Sequence, residues 1–127
     1  MAYRTPLAKA RGLGSAKSGT RHWWMQRVTA VALIPLSFWL ILFLQQLFQA
    51  TYPEMKQWLA SPVNLTLLLA WAFVGFYHAA LGIQVVIEDY LSPEWLKIVS
   101  IWLVKLAFTG AAFATLAYAI GIAIAAG

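Results

Sequence analysis

The stretch HAALGIQVVIEDY, His78 to Tyr90, places side chains able to do chemistry within an otherwise apolar run. An imidazole can ligate a metal or move a proton, and a carboxylate beside a phenol can bind or protonate a carbonyl oxygen. Gly75 and Gly82 lie three residues before and four residues after His78. In a helix all three share one face, and two missing side chains leave a trough around the ring. A trough with a histidine in its floor suits a flat macrocycle such as haem. It equally suits a tight helix crossing, in which the glycines admit a neighbouring backbone and His78 hydrogen-bonds across it. Glu88, Asp89 and Tyr90 also allow two readings. They are ordinary interfacial residues, or a phenol and carboxylate that meet a quinone head group entering from the lipid.

The elements that must position these residues follow from composition. The chain has 127 residues, 62% hydrophobic and 10% charged, with a mean hydropathy of +0.73. Too little polar surface is available for a soluble domain of this size, so it reads as an integral membrane protein. With no cysteine, it can build no disulfide, thiol or iron–sulfur site of its own. Three segments reach the roughly 20 apolar residues that a crossing needs: about Val28 to Phe48, Val63 to Ile87 and Ile98 to Ala126. Ser61-Pro62 and Ser92-Pro93 each offer an N-cap serine followed by proline at the first helical position. The expected class is all-α, three transmembrane helices joined by the short connections QATYPEMKQWLASP and EDYLSPEWLK. Residues 1–24 form a basic cytoplasmic segment and residues 25–127 the membrane domain.

Charge orients the spans. Arg4, Lys9, Arg11, Lys17, Arg21 and Arg27 precede or open the first, while the first connection carries only Lys56, offset by Glu54. The N-terminus is therefore expected in the cytoplasm, with the Glu88 to Tyr90 cluster, and the C-terminus on the far side. Trp23, Trp24, Trp58 and Trp95 fall at span ends, as interfacial aromatics do. The basic start also has the composition of an organelle transit peptide, but it runs without a cleavage-like break into the first span. Some of these charges are suited to bind anionic lipid head groups. Counting back from Ile87 puts His78 roughly 13 Å inside the hydrocarbon, and no other histidine lies at that depth, since His22 precedes the first span.

HAALGIQVVIEDY, a histidine followed by ten residues and then Asp-Tyr, together with RHWWMQRVTAVALIPL opening the first span, resembles the hydrophobic membrane anchor subunits of succinate dehydrogenase, respiratory complex II. The resemblance runs from Gly14 through the third span. It implies that His78 is an axial ligand to haem b iron, and that Tyr90 hydrogen-bonds ubiquinone with Asp89 beside it. It implies for Arg27 a haem propionate or the charge of the quinone pocket, and for His22 a propionate. FAD and the iron–sulfur clusters then reside on a flavoprotein and an iron–sulfur subunit. A second three-helix anchor supplies the other haem ligand, completing a heterodimeric bundle in the bacterial inner membrane or its mitochondrial equivalent. Membrane lipid is the remaining partner, and nucleic acid is not one.

Two further classes stand beside this reading. A small transporter or channel subunit would place carboxylates within the membrane, whereas Glu54, Glu88, Asp89 and Glu94 all lie in or beside the connections. Lys105, the charge within the third span, can snorkel to the cytoplasmic surface. A purely structural accessory subunit of another respiratory complex would use His78 for packing alone.

Overall fold

A computed structural model describes residues 5–11 and 19–126. Arg4, Gly14 and Lys17 of the basic segment lie outside the described residues. Five helices follow in order: α1 (Pro6–Arg11), α2 (Gly19–Leu47), α3 (Tyr52–Ala60), α4 (Pro62–Tyr90) and α5 (Glu94–Ala126). No strand occurs among the described residues. The helices α2, α4 and α5, of 29, 29 and 33 residues, are long and apolar enough to cross a membrane. The chain is a multi-pass, all-α membrane protein.

Each long helix overruns the expected apolar span. At 1.5 Å per residue they measure about 43 to 50 Å, against about 30 Å of hydrocarbon. The stretch TRHWWMQR after Gly19 contains no glycine or proline, so α2 extends through it and carries Arg21 and Arg27 on helical turns. It also runs through Pro35, which removes the N–H that would bond the Val31 carbonyl. At the same end of the bundle as the start of α2, Glu88, Asp89 and Tyr90 form the last turn of α4 and do not begin a loop.

The connections differ from expectation in two places. Most of QATYPEMKQWLASP is helix α3, because Glu54 reaches back to cap it: its Oε2 accepts from the Thr51 backbone N–H at 2.8 Å and from the Thr51 hydroxyl at 2.7 Å. Ser61 precedes Pro62 at the start of α4 as the pattern predicts, but its hydroxyl makes no capping bond. Its backbone N–H closes α3 instead, donating to the Trp58 carbonyl at 3.3 Å. Asn64 Nδ2 donates to that same carbonyl at 3.0 Å. At the third helix the Pro93 carbonyl accepts from the Leu96 and Lys97 N–H groups, both at 3.1 Å, so the helix proper begins at Glu94.

Helix α4 is central, packing against α2 and against α5, while α3 tucks onto α5 and α4. Phe43 stacks between Trp39 and Trp58, with ring centroids 5.3 and 4.7 Å apart, tying the end of α2 to α3. Among the described residues only Thr29, Phe43, Ala72, Leu81, Ile87 and Ala119 are buried, and no large side chain is fully enclosed. Three helices meeting along two seams leave most apolar side chains facing outward. That surface requires an apolar environment, lipid or another membrane protein.

The two Thr51 bonds, backbone first and hydroxyl second, hold the Glu54 carboxyl below its ordinary value. A depressed folded value means that the cap contributes fully above the ordinary carboxylate range and is lost as pH falls through the lowered one. Amide protection factors in the first turn of α3 are expected to drop on acidification below about pH 4. In Glu54→Gln that step should vanish. An unchanged pH dependence in the variant would place the acid sensitivity elsewhere.

Candidate functional site

The seam between α2 and α4 is where the chain places its buried polar chemistry. The helices run antiparallel, and their facing pairs step down the seam in order. A Cβ at Gly82 would lie 3.9 Å from Gln26 Nε2, and one at Gly75 would lie 3.9 Å from Leu33 Cδ2. Between them Thr29 Oγ1 meets His78 Nδ1 at 3.0 Å, and two turns deeper Trp71 Nε1 donates to Ser37 Oγ at 3.1 Å. The glycine-flanked face of α4 is thus turned toward α2 of the same chain. The trough expected to receive a macrocycle is occupied by Gln26 and Leu33, the arrangement of a close helix crossing.

That crossing fixes the imidazole. Thr29 Oγ1 lies 2.7 Å from the Met25 carbonyl and 3.1 Å from the Gln26 carbonyl, so its single proton is committed to the backbone. Only a lone pair is left for His78, which makes Nδ1 the protonated nitrogen, as assigned from the network. The other nitrogen, Nε2, then carries its lone pair in the ring plane and has no hydrogen-bond partner among the described residues. An imidazole held through Nδ1–H with a basic Nε2 is the form that binds a metal ion. No group of three or more His, Cys, Asp or Glu could hold a metal among the described residues. A ligand to His78 must therefore bring most of its own coordination, as haem does, and the donor set fits that group.

The remaining predicted residues are distributed around this point. His22 lies seven residues before Thr29, within about 20° of the same α2 face. Its Nε2 is buried without a hydrogen-bond partner. Asp89, eleven residues beyond His78, returns to the His78 face of α4 within about 20° and is exposed. Tyr90 is 82% exposed, about 120° round the helix and about 18 Å along it from His78. The structure does not bring Tyr90 and His78 together. Arg27 leaves α2 about 160° from Thr29, and its guanidinium stacks over the Trp23 ring at 5.3 Å from the centroid. It faces away from α4. Glu88 accepts from Gln84 Nε2 at 3.0 Å.

Thr29 is the functional residue that reading His78 alone misses. The signal was present: His22, Gln26, Thr29 and Ser37 fall at helical spacing on one face of an otherwise apolar helix. Polar side chains sharing a face at membrane depth need partners on the next helix.

Comparison with known proteins agrees with this architecture. Residues 1–118 match the family model described as succinate dehydrogenase/fumarate reductase transmembrane subunit. The succinate dehydrogenase hydrophobic membrane anchor subunit of Rickettsia bellii is 42% identical over 104 residues, covering 82% of this chain and 83% of the relative. That of Rickettsia conorii is 40% identical over 105 residues, with 82% and 83% covered. The Paracoccus denitrificans subunit of the same name is 31% identical over 90 residues, covering 71% of this chain and 70% of its own.

The seam makes a prediction about Thr29. In the full chain reconstituted in lipid without haem, nitrogen NMR of labelled histidine should report His78 protonated at Nδ1. Thr29→Val removes the acceptor and should cost about 1 kcal/mol of α2–α4 association, enough to mix the two tautomers. Wild-type His78 protonated at Nε2 would contradict the assignment.

Proposed function

Because the chain belongs to the succinate dehydrogenase/fumarate reductase transmembrane subunit family, we propose that it anchors a succinate:ubiquinone oxidoreductase in the membrane, contributing His78 to haem b and Tyr90 to the ubiquinone site. The observation that carries the reading is the Thr29–His78 bond, which holds a lone imidazole inside the membrane with Nε2 free to donate to iron. When bound, haem b would supply a one-electron store. The chain's own residues do the rest. Thr29 fixes ring orientation and tautomer, and Gly75 and Gly82 allow α2 to come close enough for that bond.

Tyr90, at the exposed end of α4, donates a hydrogen bond from its phenol to a quinone carbonyl oxygen, and Asp89 beside it orients the phenol or relays protons from water. His22, on the Thr29 face, and Arg27, stacked on Trp23, are the groups of α2 available to a propionate on the N-terminal side. The N-terminus lies in the cytoplasm, where a flavoprotein and an iron–sulfur subunit dock. A second three-helix anchor would supply the other haem ligand, since His78 is the one histidine this chain brings to the α2–α4 seam at membrane depth with a free Nε2. Succinate is oxidised on the soluble subunits and not by this chain.

Two variants test the reading. His78→Ala should abolish or shift the low-spin b-type absorption of the isolated assembly while the three spans remain inserted. An unaltered spectrum would exclude His78 as a ligand. Tyr90→Phe deletes one hydrogen bond of about 0.5 to 1.5 kcal/mol, so quinone affinity should fall by up to about tenfold. Succinate oxidation with a soluble artificial acceptor should persist. Equal ubiquinone reduction by variant and wild type would make Tyr90 an interfacial side chain only.

A further inference from the structure

The second seam, between α4 and α5, is built differently from the first. Phe76 and Phe108 meet at a centroid distance of 6.0 Å, and beside them the helices part around an open cleft of about 780 Å³. Its lining carries polar groups from Tyr77, Gln84, Trp102, Lys105 and Thr109, and its walls include Phe76, Phe108 and Phe113. The Phe76–Phe108 contact sets the levels of these groups. Gln84 lies about 12 Å from it toward the N-terminal side of the membrane, and Lys105 about 4.5 Å the same way. Phe113 lies about 7.5 Å in the opposite direction. The cleft therefore has a cationic, hydrogen-bonding mouth at one end and an aromatic trough running from it toward the bilayer centre.

Lys105 has no anionic partner among the described residues. Its ammonium sits 5.3 Å from the Trp102 ring centroid, one turn nearer the N-terminal side, so the side chain snorkels in that direction. No carboxylate reaches it among the described residues. Gln84 uses one amide N–H on Glu88 and keeps a second N–H free. The walls also argue about shape. Helix seams in membranes are lined by small residues that let backbones approach, as Gly75 and Gly82 do at α2. Bulky phenylalanines hold a helix off, whereas a flexible hydrocarbon chain can fill the irregular gap between them.

We propose that this cleft is a binding site for an anionic glycerophospholipid of the leaflet on the N-terminal side. The lipid phosphate rests on Lys105 and the free Gln84 amide, and an acyl chain lies along Phe76, Phe108 and Phe113. Charge complementarity selects the occupant: a neutral isoprenoid would fill the trough and leave the ammonium unmatched, while a phospholipid satisfies both ends. The site is independent of the His78 seam.

The membrane assembly containing the full chain can be placed in phosphatidylcholine nanodiscs holding a minority of phosphatidylglycerol, and the retained lipids counted by native mass spectrometry. The wild type should retain phosphatidylglycerol in preference to phosphatidylcholine. Lys105→Gln should lower that retention about tenfold, as loss of one charge-assisted contact implies. Ala112→Phe, which fills the cleft, should lower it as well, and Lys56→Gln on α3 should leave it unchanged. Equal retention by Lys105→Gln and wild type would overturn the proposal, as would finding an isoprenoid quinone or a polypeptide segment in the cleft. Should Lys105→Gln fail to assemble, the wild-type competition decides alone: no preference for the anionic lipid defeats the site.

Discussion

A membrane interior offers no water to satisfy an imidazole, so His78 is tenable only if something on a neighbouring helix meets it. The hydrogen bond from His78 Nδ1 to Thr29 Oγ1, at 3.0 Å, is that contact. Much of the chain's design depends on it. Gly75 and Gly82 lack side chains where α2 must approach, and Leu33 and Gln26 pack at those two positions. Thr29 spends its own proton on the α2 backbone, which leaves His78 as donor and directs basicity to the far side of the ring. One short polar contact thus sets helix spacing, ring orientation and the nitrogen available for coordination.

The same economy leaves the chain unfinished. Its helices meet along two seams that share α4, and only six of its described residues are buried. A solitary three-helix unit of this kind has no enclosed core, and its outward apolar side chains can be solvated only by lipid or by another membrane subunit. The two seams differ in the residues that line them. Glycine and threonine close the α2–α4 seam tightly around a histidine, whereas phenylalanines and a lysine keep the α4–α5 seam open. The proposed haem on the Nε2 side of His78 would need a second wall, which the proposed partner anchor would supply.

Much of this was legible in the sequence. Three long apolar runs, the Ser-Pro pairs and the tryptophans at span ends located α2, α4 and α5, and the spacing of His78 from Asp89 and Tyr90 carried the family resemblance. The helix ends were less legible, since hydropathy marks where a helix is apolar and not where it stops: GTRHWWMQR is polar yet helical, and α3 exists because Glu54 can reach back to Thr51. The glycines allowed either an open trough or a close helix crossing, because one helix viewed alone cannot show which neighbour covers it. Thr29 escaped for the same reason. The cavity beside Lys105 depends on how two helices diverge, which no linear pattern encodes.

The proposed bond between His78 Nε2 and haem iron is open to a direct test by hyperfine spectroscopy. The chain contains two histidines, so in a His22→Gln background, labelling this subunit's histidine with nitrogen-15 at Nε2 alone isolates His78. Pulsed electron paramagnetic resonance of the oxidised assembly should then show strong hyperfine coupling between the low-spin haem iron and that nitrogen. An iron signal with no nitrogen-15 coupling from this subunit would contradict the claim, and would leave His78 as a polar contact that merely joins α4 to α2.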